Sequence, residues 1–273
     1  MDLRTALLQG RQLLEDAKVT APQLTAEVLL AYAVGRDRAW LYAHSDEELR
    51  EVWWIHYGRY LHQRMQGTPT QYIAGRQEFY GREFRVTPDV LIPRPETEHL
   101  IEAALRVPAR SILDIGTGSG AIAVTLALES QSRVVASDIS TAALGVASAN
   151  ATRLTAEVLF IAANLASPFA DASFDLVVSN PPYVPEDESL PREVRDHEPA
   201  IALFGGADGL EIYRRLIPEA ARVLTPGGRL ILELGYGLAG AVEAMLADWD
   251  DVKLDRDLAG IPRVITALRR APA

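Results

Sequence analysis

The strongest constraint on the fold is a regular alternation of short apolar segments and amphipathic segments from Ser111 to the end of the 273-residue chain. Short, strongly apolar strands that alternate with helices predict a parallel sheet covered by helices on both faces. We predict strands at Ser111–Ile115, Arg133–Ser137, Val158–Ala162, Phe174–Ser179, Arg229–Leu234, Val252–Asp255 and Arg263–Leu268. We predict helices at Gly120–Leu128, Thr141–Arg153, Leu210–Leu224 and Leu238–Ala247.

The chain before this region reads as helical up to about Ala74. Pro22 fits the first turn of a helix that continues to Val34 and ends at Gly35. The segment 45–48, Ser-Asp-Glu-Glu, has the pattern of a capping box, which predicts Ser45 as the N-cap of a further helix.

A short bridge connects the two regions. Residues 78–86 alternate aromatic and polar side chains around Gly81, which predicts a small hairpin. Pro95 and the glutamates after it favour a helix start, and this helix is expected to run to about Arg106. We therefore predict three parts: residues 1–74, residues 75–106 and residues 107–273.

Composition excludes several classes of protein. The chain has no cysteine, so disulfides, zinc–thiolate sites, iron–sulfur clusters and a cysteine nucleophile are ruled out. Its five histidines lack the spacing of a metal site. The formal net charge of −10 disfavours nonspecific binding to nucleic acid. We find no export signal and no apolar run of the ~20 residues that span a bilayer, so a cytoplasmic protein without a membrane partner is expected.

A glycine-rich loop follows the first predicted strand of the α/β region and opens a helix. Its five residues are Gly116, Thr117, Gly118, Ser119 and Gly120. Such glycines allow a tight turn and let a ligand approach the amides at the helix N-terminus. Asp138 ends the next strand, where a carboxylate accepts hydrogen bonds from ribose hydroxyls. The pattern predicts a nucleotide-like cofactor, and the dinucleotide fingerprint fits it as well.

A second motif, Asn180-Pro181-Pro182-Tyr183, follows the buried strand Phe174–Ser179. The side-chain oxygen of Asn180 and the carbonyl of Pro181 can accept the two N–H groups of a planar amide or aromatic amine, and the prolines offer no competing donor. Tyr183 can stack on one face of that planar group. We therefore predict Asn180, Pro181 and Tyr183 as catalytic residues, and all four residues as the substrate site.

The glycine loop, preceded by Asp114, resembles motif I of the class I methyltransferases, and the tetrapeptide resembles their (N/D)PP(Y/F) motif. Eight segments together resemble the HemK/PrmC family of protein-(glutamine-N5) methyltransferases: Thr70–Gly75, Glu78–Gly81, Leu91–Glu98, Leu113–Gly120, Ser179–Val184, Glu198–Gly206, Asp208–Leu210 and Asp257–Arg263. Asn164, where many relatives have aspartate, and Leu238, where relatives often have glutamine, depart from the family pattern.

This resemblance implies a Rossmann-like methyltransferase domain with a seven-stranded, mostly parallel sheet, preceded by a small helical domain that recognises the substrate. It implies S-adenosylmethionine as methyl donor, with S-adenosylhomocysteine as product. The five loop residues, Asp138, Leu165 and Asn180 would bind the cofactor, with Leu165 packed against the adenine. The implied partner is a peptide chain release factor, methylated on the glutamine amide of its GGQ tripeptide.

Other interpretations stay open at this point. An adenine-N6 nucleic-acid methyltransferase could use the same tetrapeptide, but it predicts a basic recognition surface. A nicotinamide-binding oxidoreductase or a non-catalytic binding module would use only the glycine loop and leave the tetrapeptide unexplained. Arg94, Glu96 and Glu98 could close the linker over the methyl donor or guide the substrate loop, but we favour a solvated helix start. Arg195, Asp196 and Glu198 could belong to a lid, but we favour a solvated loop.

Overall fold

The computed structural model describes residues 1–271, which divide into two units. The first unit consists of Met1–Arg76 together with Leu190–His197, and the second consists of Gln77–Ser189 and the chain from Glu198 onward. Within the described residues, no helix has both the length and the apolar character needed to cross a bilayer.

The first unit is built from helices around a core of leucine and tyrosine side chains. Leu3, Leu14, Leu29 and Tyr57 are fully buried in this core. The helices are α1 (Leu3–Asp16), α2 (Pro22–Val34), α3 (Arg38–Ala43), α4 (Glu51–Met65) and α5 (Thr70–Ala74). The predicted end of α2 is confirmed, because Gly35 adopts a left-handed conformation with φ of 71°.

The prediction that Ser45 caps a helix is wrong. Helix α4 begins at Glu51, and its N-cap residue, Arg50, makes no side-chain capping bond. The backbone of residues 45–49 instead pairs with the start of the chain: the Arg4 amide donates to the Ser45 carbonyl at 2.9 Å and the Leu49 amide to the Met1 carbonyl at 2.9 Å. Burial of Leu3 and Leu49 favours this pairing over the local cap.

A segment far along the chain completes the first unit. Leu190–His197, which contains α9 (Arg192–His197), groups with the helices and not with the sheet. The buried Arg64 side chain of α4 forms an ion pair with Glu193. Our prediction that the first domain consists of residues 1–74 did not include this later segment of the chain.

The second unit begins with the predicted hairpin. Strands β1 (Arg76–Phe79) and β2 (Arg82–Arg85) are joined by Tyr80 and Gly81, which both have positive φ, 51° and 69°. Two left-handed residues in a row are typical of the tight turns of β-hairpins. A short 3₁₀ turn, Pro95–Thr97, then leads into α6 (Glu98–Leu105), which confirms the predicted helix start at Pro95.

The sheet has seven strands in the order β5-β4-β3-β6-β7-β9-β8, and only β9 runs antiparallel to its neighbours. This confirms the predicted seven-stranded, mostly parallel sheet. The strands are β3 (Ser111–Ile115), β4 (Arg133–Asp138), β5 (Val158–Ala162), β6 (Phe174–Ser179), β7 (Leu224–Glu233), β8 (Asp250–Arg256) and β9 (Pro262–Leu268). The helices that follow α6 in this unit are α7 (Ala121–Glu129), α8 (Thr141–Leu154), α10 (Ala200–Leu203), α11 (Glu211–Val223) and α12 (Ala239–Met245).

Both faces of the sheet are buried, each against its own layer of helices. Successive residues of a strand alternate between the layers: Ile112 and Leu176 pack in one apolar cluster, whereas Leu113 and Val177 pack in the other. Strand β3 lies at the centre with β4 on one side and β6 on the other. The chain therefore reverses its direction of strand addition beside β3, and the crevice at the carboxyl ends of these strands is where open α/β sheets bind ligands.

Candidate active site

A pocket in the second unit lies at this crevice. Six of the residues that the sequence singles out line it: Gly116, Gly118, Asp138, Leu165, Asn180 and Pro182. They follow four different strands, β3, β4, β5 and β6, so the fold gathers residues that are distant in sequence. The pocket combines apolar walls with a carboxylate and an amide, the mixture typical of small-molecule sites.

The glycine loop forms a tight turn at one wall of the pocket. Gly116 and Gly118 adopt positive φ of 76° and 54°. The amides of Gly116 and Thr117 both donate to the Ser137 carbonyl, at 2.8 and 3.0 Å. Gly120 also has positive φ, 81°, and a Cβ atom there would lie 3.0 Å from the Cβ of Ala147. The last glycine therefore lets α7 approach α8 closely.

Two predicted loop residues are not among those that line the pocket. Thr117 and Ser119 are buried. The Thr117 hydroxyl donates to Asp114 Oδ2 at 2.7 Å, and the Ser119 carbonyl accepts from Asn150 Nδ2 at 2.9 Å.

Two backbone amides fix the orientation of the Asp138 carboxylate. Its Oδ2 accepts from the Gly118 amide and its Oδ1 from the Ser140 amide, both at 2.9 Å. Each carboxylate oxygen can accept more than one hydrogen bond, so Asp138 retains capacity toward the pocket. The aspartate thus has a fixed orientation before any ligand binds.

Asp114 is a residue of this region that our predicted site omits. Its side chain is fully buried, and burial, opposed by the Thr117 hydrogen bond and reinforced by the charge of Asp138, raises its pKa to about 7. Its Oδ1 has no hydrogen-bond partner among the described residues. The signal in the sequence is its position directly before the glycine loop.

Leu165 and Asn164 form the part of the pocket after β5. Leu165 has a positive φ of 54°, a strained conformation for a leucine and one that occurs preferentially at functional sites. Asn164 Oδ1 accepts from the Arg215 guanidinium at 2.9 Å, and Arg215 also lines the pocket. The asparagine amide is therefore oriented by a cation.

The tetrapeptide offers two acceptors at the end of β6. Asn180 Nδ2 donates to Thr97 Oγ1 at 3.2 Å, which fixes the plane of the amide. Within residues 1–271, neither Asn180 Oδ1 nor the Pro181 carbonyl accepts a hydrogen bond. Both oxygens thus lack an internal partner among these residues; Asn180 is half-buried and lines the pocket, whereas Pro181 is buried and is not among the lining residues.

Three glycines outside the predicted site leave room for the tetrapeptide because they have no side chain. A Cβ on Gly209, which has φ of 72°, would lie 2.3 Å from the Tyr183 carbonyl oxygen, and one on Gly205 would lie 2.6 Å from that of Pro182. A Cβ on Gly235 would lie 2.8 Å from the Tyr183 ring. Side chains at these positions would displace the tetrapeptide.

Glu233, at the end of β7, is a second omitted residue. It is 3% exposed, and burial raises its pKa to about 7. The Tyr183 hydroxyl lies 3.5 Å from its Oε1. No sequence motif marks this glutamate beyond its place at a strand end.

The interpretation of Arg94 and Glu198 as solvated residues is wrong. Glu198 is only 5% exposed, and it accepts from Arg94 Nη2 at 2.5 Å and from the Ile92 amide at 3.2 Å. Burying a carboxylate is costly unless it is paired in this way. Glu98 accepts a hydrogen bond from the Tyr80 amide of the hairpin at 2.8 Å. Three of the residues are exposed as predicted: Glu96, Arg195 and Asp196.

No cluster of metal-ligating side chains occurs in the part of the chain that the structure describes.

Comparisons with known proteins agree with this architecture. Residues 5–75 match the family model of the PrmC N-terminal domain, and residues 95–194 match that of the methyltransferase small domain. Release factor glutamine methyltransferases from Koribacter versatilis and Bacillus subtilis are 46% and 43% identical to the chain. These alignments cover 97% of this chain and 98% of the first relative, and 89% of this chain and 90% of the second.

Solved structures share the fold at low sequence identity. A methyltransferase from Pyrococcus furiosus has a TM-score of 0.56 at 19% identity, covering 70% of this chain and 91% of that chain. The T. thermophilus 16S rRNA N2 G1207 methyltransferase, solved with AdoMet and guanosine, has a TM-score of 0.52 at 20% identity, covering 71% of this chain and 50% of that chain. At such identities the likeness concerns the fold alone.

Proposed function

The chain belongs to the family of the release factor glutamine methyltransferases, and on this premise we propose that it methylates the glutamine of the GGQ motif in peptide chain release factors. The acceptor is the side-chain amide nitrogen, N5, and the donor is S-adenosylmethionine. The observation that carries the proposal is a pair of acceptors without a partner in the described residues, Asn180 Oδ1 and the Pro181 carbonyl, of which Asn180 lines a pocket together with Asp138 and two glycines of the loop.

The pocket residues fit S-adenosylmethionine. Gly116 and Gly118 leave room along the loop, Asp138 presents an oriented carboxylate for the ribose hydroxyls, and Leu165 and Ile139 offer apolar surface for the adenine. The bound cofactor supplies an electrophilic methyl group on a sulfonium. S-adenosylhomocysteine would remain in the same pocket after transfer.

The residues of the tetrapeptide position the substrate amide. An amide nitrogen is a weak nucleophile because its lone pair is delocalised into the carbonyl. Asn180 Oδ1 and the Pro181 carbonyl would each accept one N–H of the glutamine, which orients the nitrogen and increases its electron density. Tyr183 would pack against the planar amide. Orientation of this kind accounts for a large part of many enzymatic rate enhancements.

We propose that the helices of the first unit recognise the release factor. Every residue assigned to the cofactor lies after Ser111, in the second unit. The names of the relatives favour a protein substrate over an adenine in nucleic acid, and a net charge of −10 gives no general attraction to phosphates. A cytoplasmic location stays a prediction.

Substitution of Asn180 tests the chemistry. Asn180→Ala removes one acceptor, and we expect turnover to fall by ~10²-fold or more, because the lost interaction matters most in the transition state. Asn180→Asp keeps an acceptor oxygen and should retain more activity than alanine. Steady-state methylation of release factor, with cofactor affinity measured by calorimetry as control, distinguishes these outcomes. Near-normal turnover in the alanine variant would remove Asn180 from the mechanism.

A further inference from the structure

Part of the pocket is formed by two segments that lie outside the glycine loop and the tetrapeptide. One is the linker before α6, which contributes Leu91, and the other is α10, which contributes Ile201 and Ala202. The two segments are far apart in sequence and follow no common strand. Some interaction in the second unit therefore has to hold them together.

Glu198 joins the two segments. Its side chain is buried, and both of its carboxylate oxygens are used: Oε1 accepts from Arg94 Nη2 at 2.5 Å, and Oε2 accepts from the Ile92 amide at 3.2 Å. Ile92 is the chain neighbour of Leu91, and Ile201 follows Glu198 within one helical turn. The paired carboxylate therefore fixes the two lining segments relative to each other.

The segment after Glu198 needs such an anchor. Glu198 is the first residue of the second unit after the chain leaves Leu190–His197. Helix α10 has only four residues, and its N-cap residue, Pro199, makes no side-chain capping bond. A single helical turn is marginal by itself in water. Its position therefore depends on the contacts of its neighbours in the chain.

The same segment also pairs with the chain that follows the tetrapeptide. The Val184 amide donates to the Leu203 carbonyl, and the Gly205 amide donates to the Val184 carbonyl, both at 2.9 Å. Val184 comes directly after Tyr183, the last residue of the tetrapeptide. Residues 198–205 therefore line the pocket and at the same time fix the backbone beside the substrate motif.

Ile201 is a large apolar side chain that solvent reaches at the pocket. It is 59% exposed, and Ile139, which lines the same pocket, is 55% exposed. Covering apolar surface of this kind with a ligand is favourable, roughly in proportion to the area removed from water. A bound cofactor that covers Ile201 would therefore gain affinity from it.

We propose that Arg94 and Glu198 are positioning residues, which hold residues 198–205 as a wall shared by the cofactor pocket and the tetrapeptide, and that Ile201 contacts the bound cofactor. The inference rests on the proposed function, in which this pocket binds S-adenosylmethionine. The two parts have different consequences. Ile201 acts on the cofactor alone, whereas the ion pair acts on the cofactor through Ile201 and on the tetrapeptide through Val184.

Ile201→Ser tests the contact with the cofactor. The substitution is at an exposed site, and the Kd for S-adenosylmethionine, measured by calorimetry, should rise about fivefold. Turnover of release factor at saturating cofactor should stay within about twofold. Leu159→Ser on β5 replaces a side chain of similar exposure, 56%, outside the pocket and should keep the Kd. An unchanged Kd in Ile201→Ser would overturn the contact.

Arg94→Met tests the ion pair. Methionine keeps an apolar stem and removes the charge, so the Kd for S-adenosylmethionine should rise about tenfold and turnover at saturating cofactor should fall about tenfold. Arg94→Lys keeps the charge and should recover most of both. Arg106→Met, which removes the exposed pair with Asp255, should change neither.

Loss of the Arg94 cation leaves a buried carboxylate unpaired, which lowers stability. Thermal unfolding is therefore measured for every variant, and the double variant Arg94→Met/Glu198→Gln, which buries no unpaired charge, should show both losses in the folded state. Normal Kd and turnover in the folded double variant, or a lysine variant as impaired as methionine, would overturn the role of the pair. Failure of the unsubstituted protein to bind S-adenosylmethionine contradicts the proposed function, whereas normal binding with unaffected variants contradicts this inference alone.

Discussion

At the scale of single residues, Asp138 holds the glycine loop, and we propose that it also binds the ribose of the cofactor. Its carboxylate accepts from the amides of Gly118 and Ser140, so removal of the whole side chain would also loosen the glycine loop. Asp138→Asn keeps the shape and one acceptor oxygen, and its NH₂ group would face the amide of either Gly118 or Ser140, so thermal unfolding of the variant has to be measured in parallel. Charge-assisted hydrogen bonds are worth ~1.5–3 kcal/mol, and we expect the affinity for S-adenosylmethionine to drop at least about tenfold.

Calorimetric titration measures this affinity directly. Asp248→Asn, on an exposed turn outside the pocket, should bind the cofactor as the unsubstituted protein does. Unchanged affinity in a folded Asp138→Asn variant would contradict the assignment of Asp138 to the ribose.

Asp114 makes the stability of the protein depend on pH. Its pKa is about 7 in the native state against an ordinary value of 3.8, so between these values the native state binds more protons than the unfolded state. The free energy of unfolding should therefore fall as pH rises from about 4 to about 7. The Asp114→Asn variant cannot ionise at this position, so the part of this decrease in the free energy of unfolding that comes from Asp114 should be absent.

Urea titrations at about pH 5 and about pH 8 test whether the free energy of unfolding falls with rising pH. The free energy of unfolding of Asp114→Asn, relative to that of the unsubstituted protein, should improve by on the order of 2 kcal/mol between the two conditions. A pH dependence that is the same in both proteins would show that Asp114 does not titrate in this range.

At the scale of elements, replacement of glycine by alanine should have opposite effects at two positions: it should lower turnover at Gly209 and raise stability at Gly145. Gly209→Ala forces a methyl group to within 2.3 Å of the Tyr183 carbonyl oxygen at a φ of 72°, so we expect the tetrapeptide to shift and turnover to fall by about tenfold or more. Gly145→Ala lies inside α8 with no atom within 4 Å and should raise the free energy of unfolding by about 0.5–1 kcal/mol.

Methylation rates and denaturant titrations of both variants check this pair. Cofactor affinity should change little in Gly209→Ala, because Gly209 is outside the pocket lining. Full turnover in Gly209→Ala would show that the tetrapeptide does not need its glycine support.

Local patterns predict the sheet well, because strand periodicity is a local property. Strands β3, β5 and β6 have the predicted bounds, Ser111–Ile115, Val158–Ala162 and Phe174–Ser179. Six of the lining residues were predictable because they lie at or just after strand ends that share one edge of the sheet: Gly116, Gly118, Asp138, Leu165, Asn180 and Pro182. The other lining residues were not predicted as site residues.

Contacts between distant parts of the chain were not predictable from local pattern. The Arg94–Glu198 pair spans 104 residues and the Thr97–Asn180 bond spans 83. The Ser45 cap failed for the same reason, since the start of the chain competes for that backbone. In each case burial and tertiary pairing override the local preference.

At the scale of the whole molecule, the chain combines a helical unit and a unit built on the seven-stranded sheet in one acidic protein. The net charge of −10 disfavours a polyanionic substrate, and the family relatives act, by name, on release factors. Both observations support our proposal that the substrate is the glutamine amide of a protein.

Mass spectrometry of release factor after incubation with S-adenosylmethionine tests this claim most directly. We predict one added methyl group on the peptide that contains the GGQ tripeptide, located on the glutamine side chain, and none when that glutamine is replaced by alanine. Adenine-containing DNA and RNA, incubated in parallel, should remain unmethylated. A release factor without added methyl, or methyl transfer to adenine in the parallel reaction, would contradict the account.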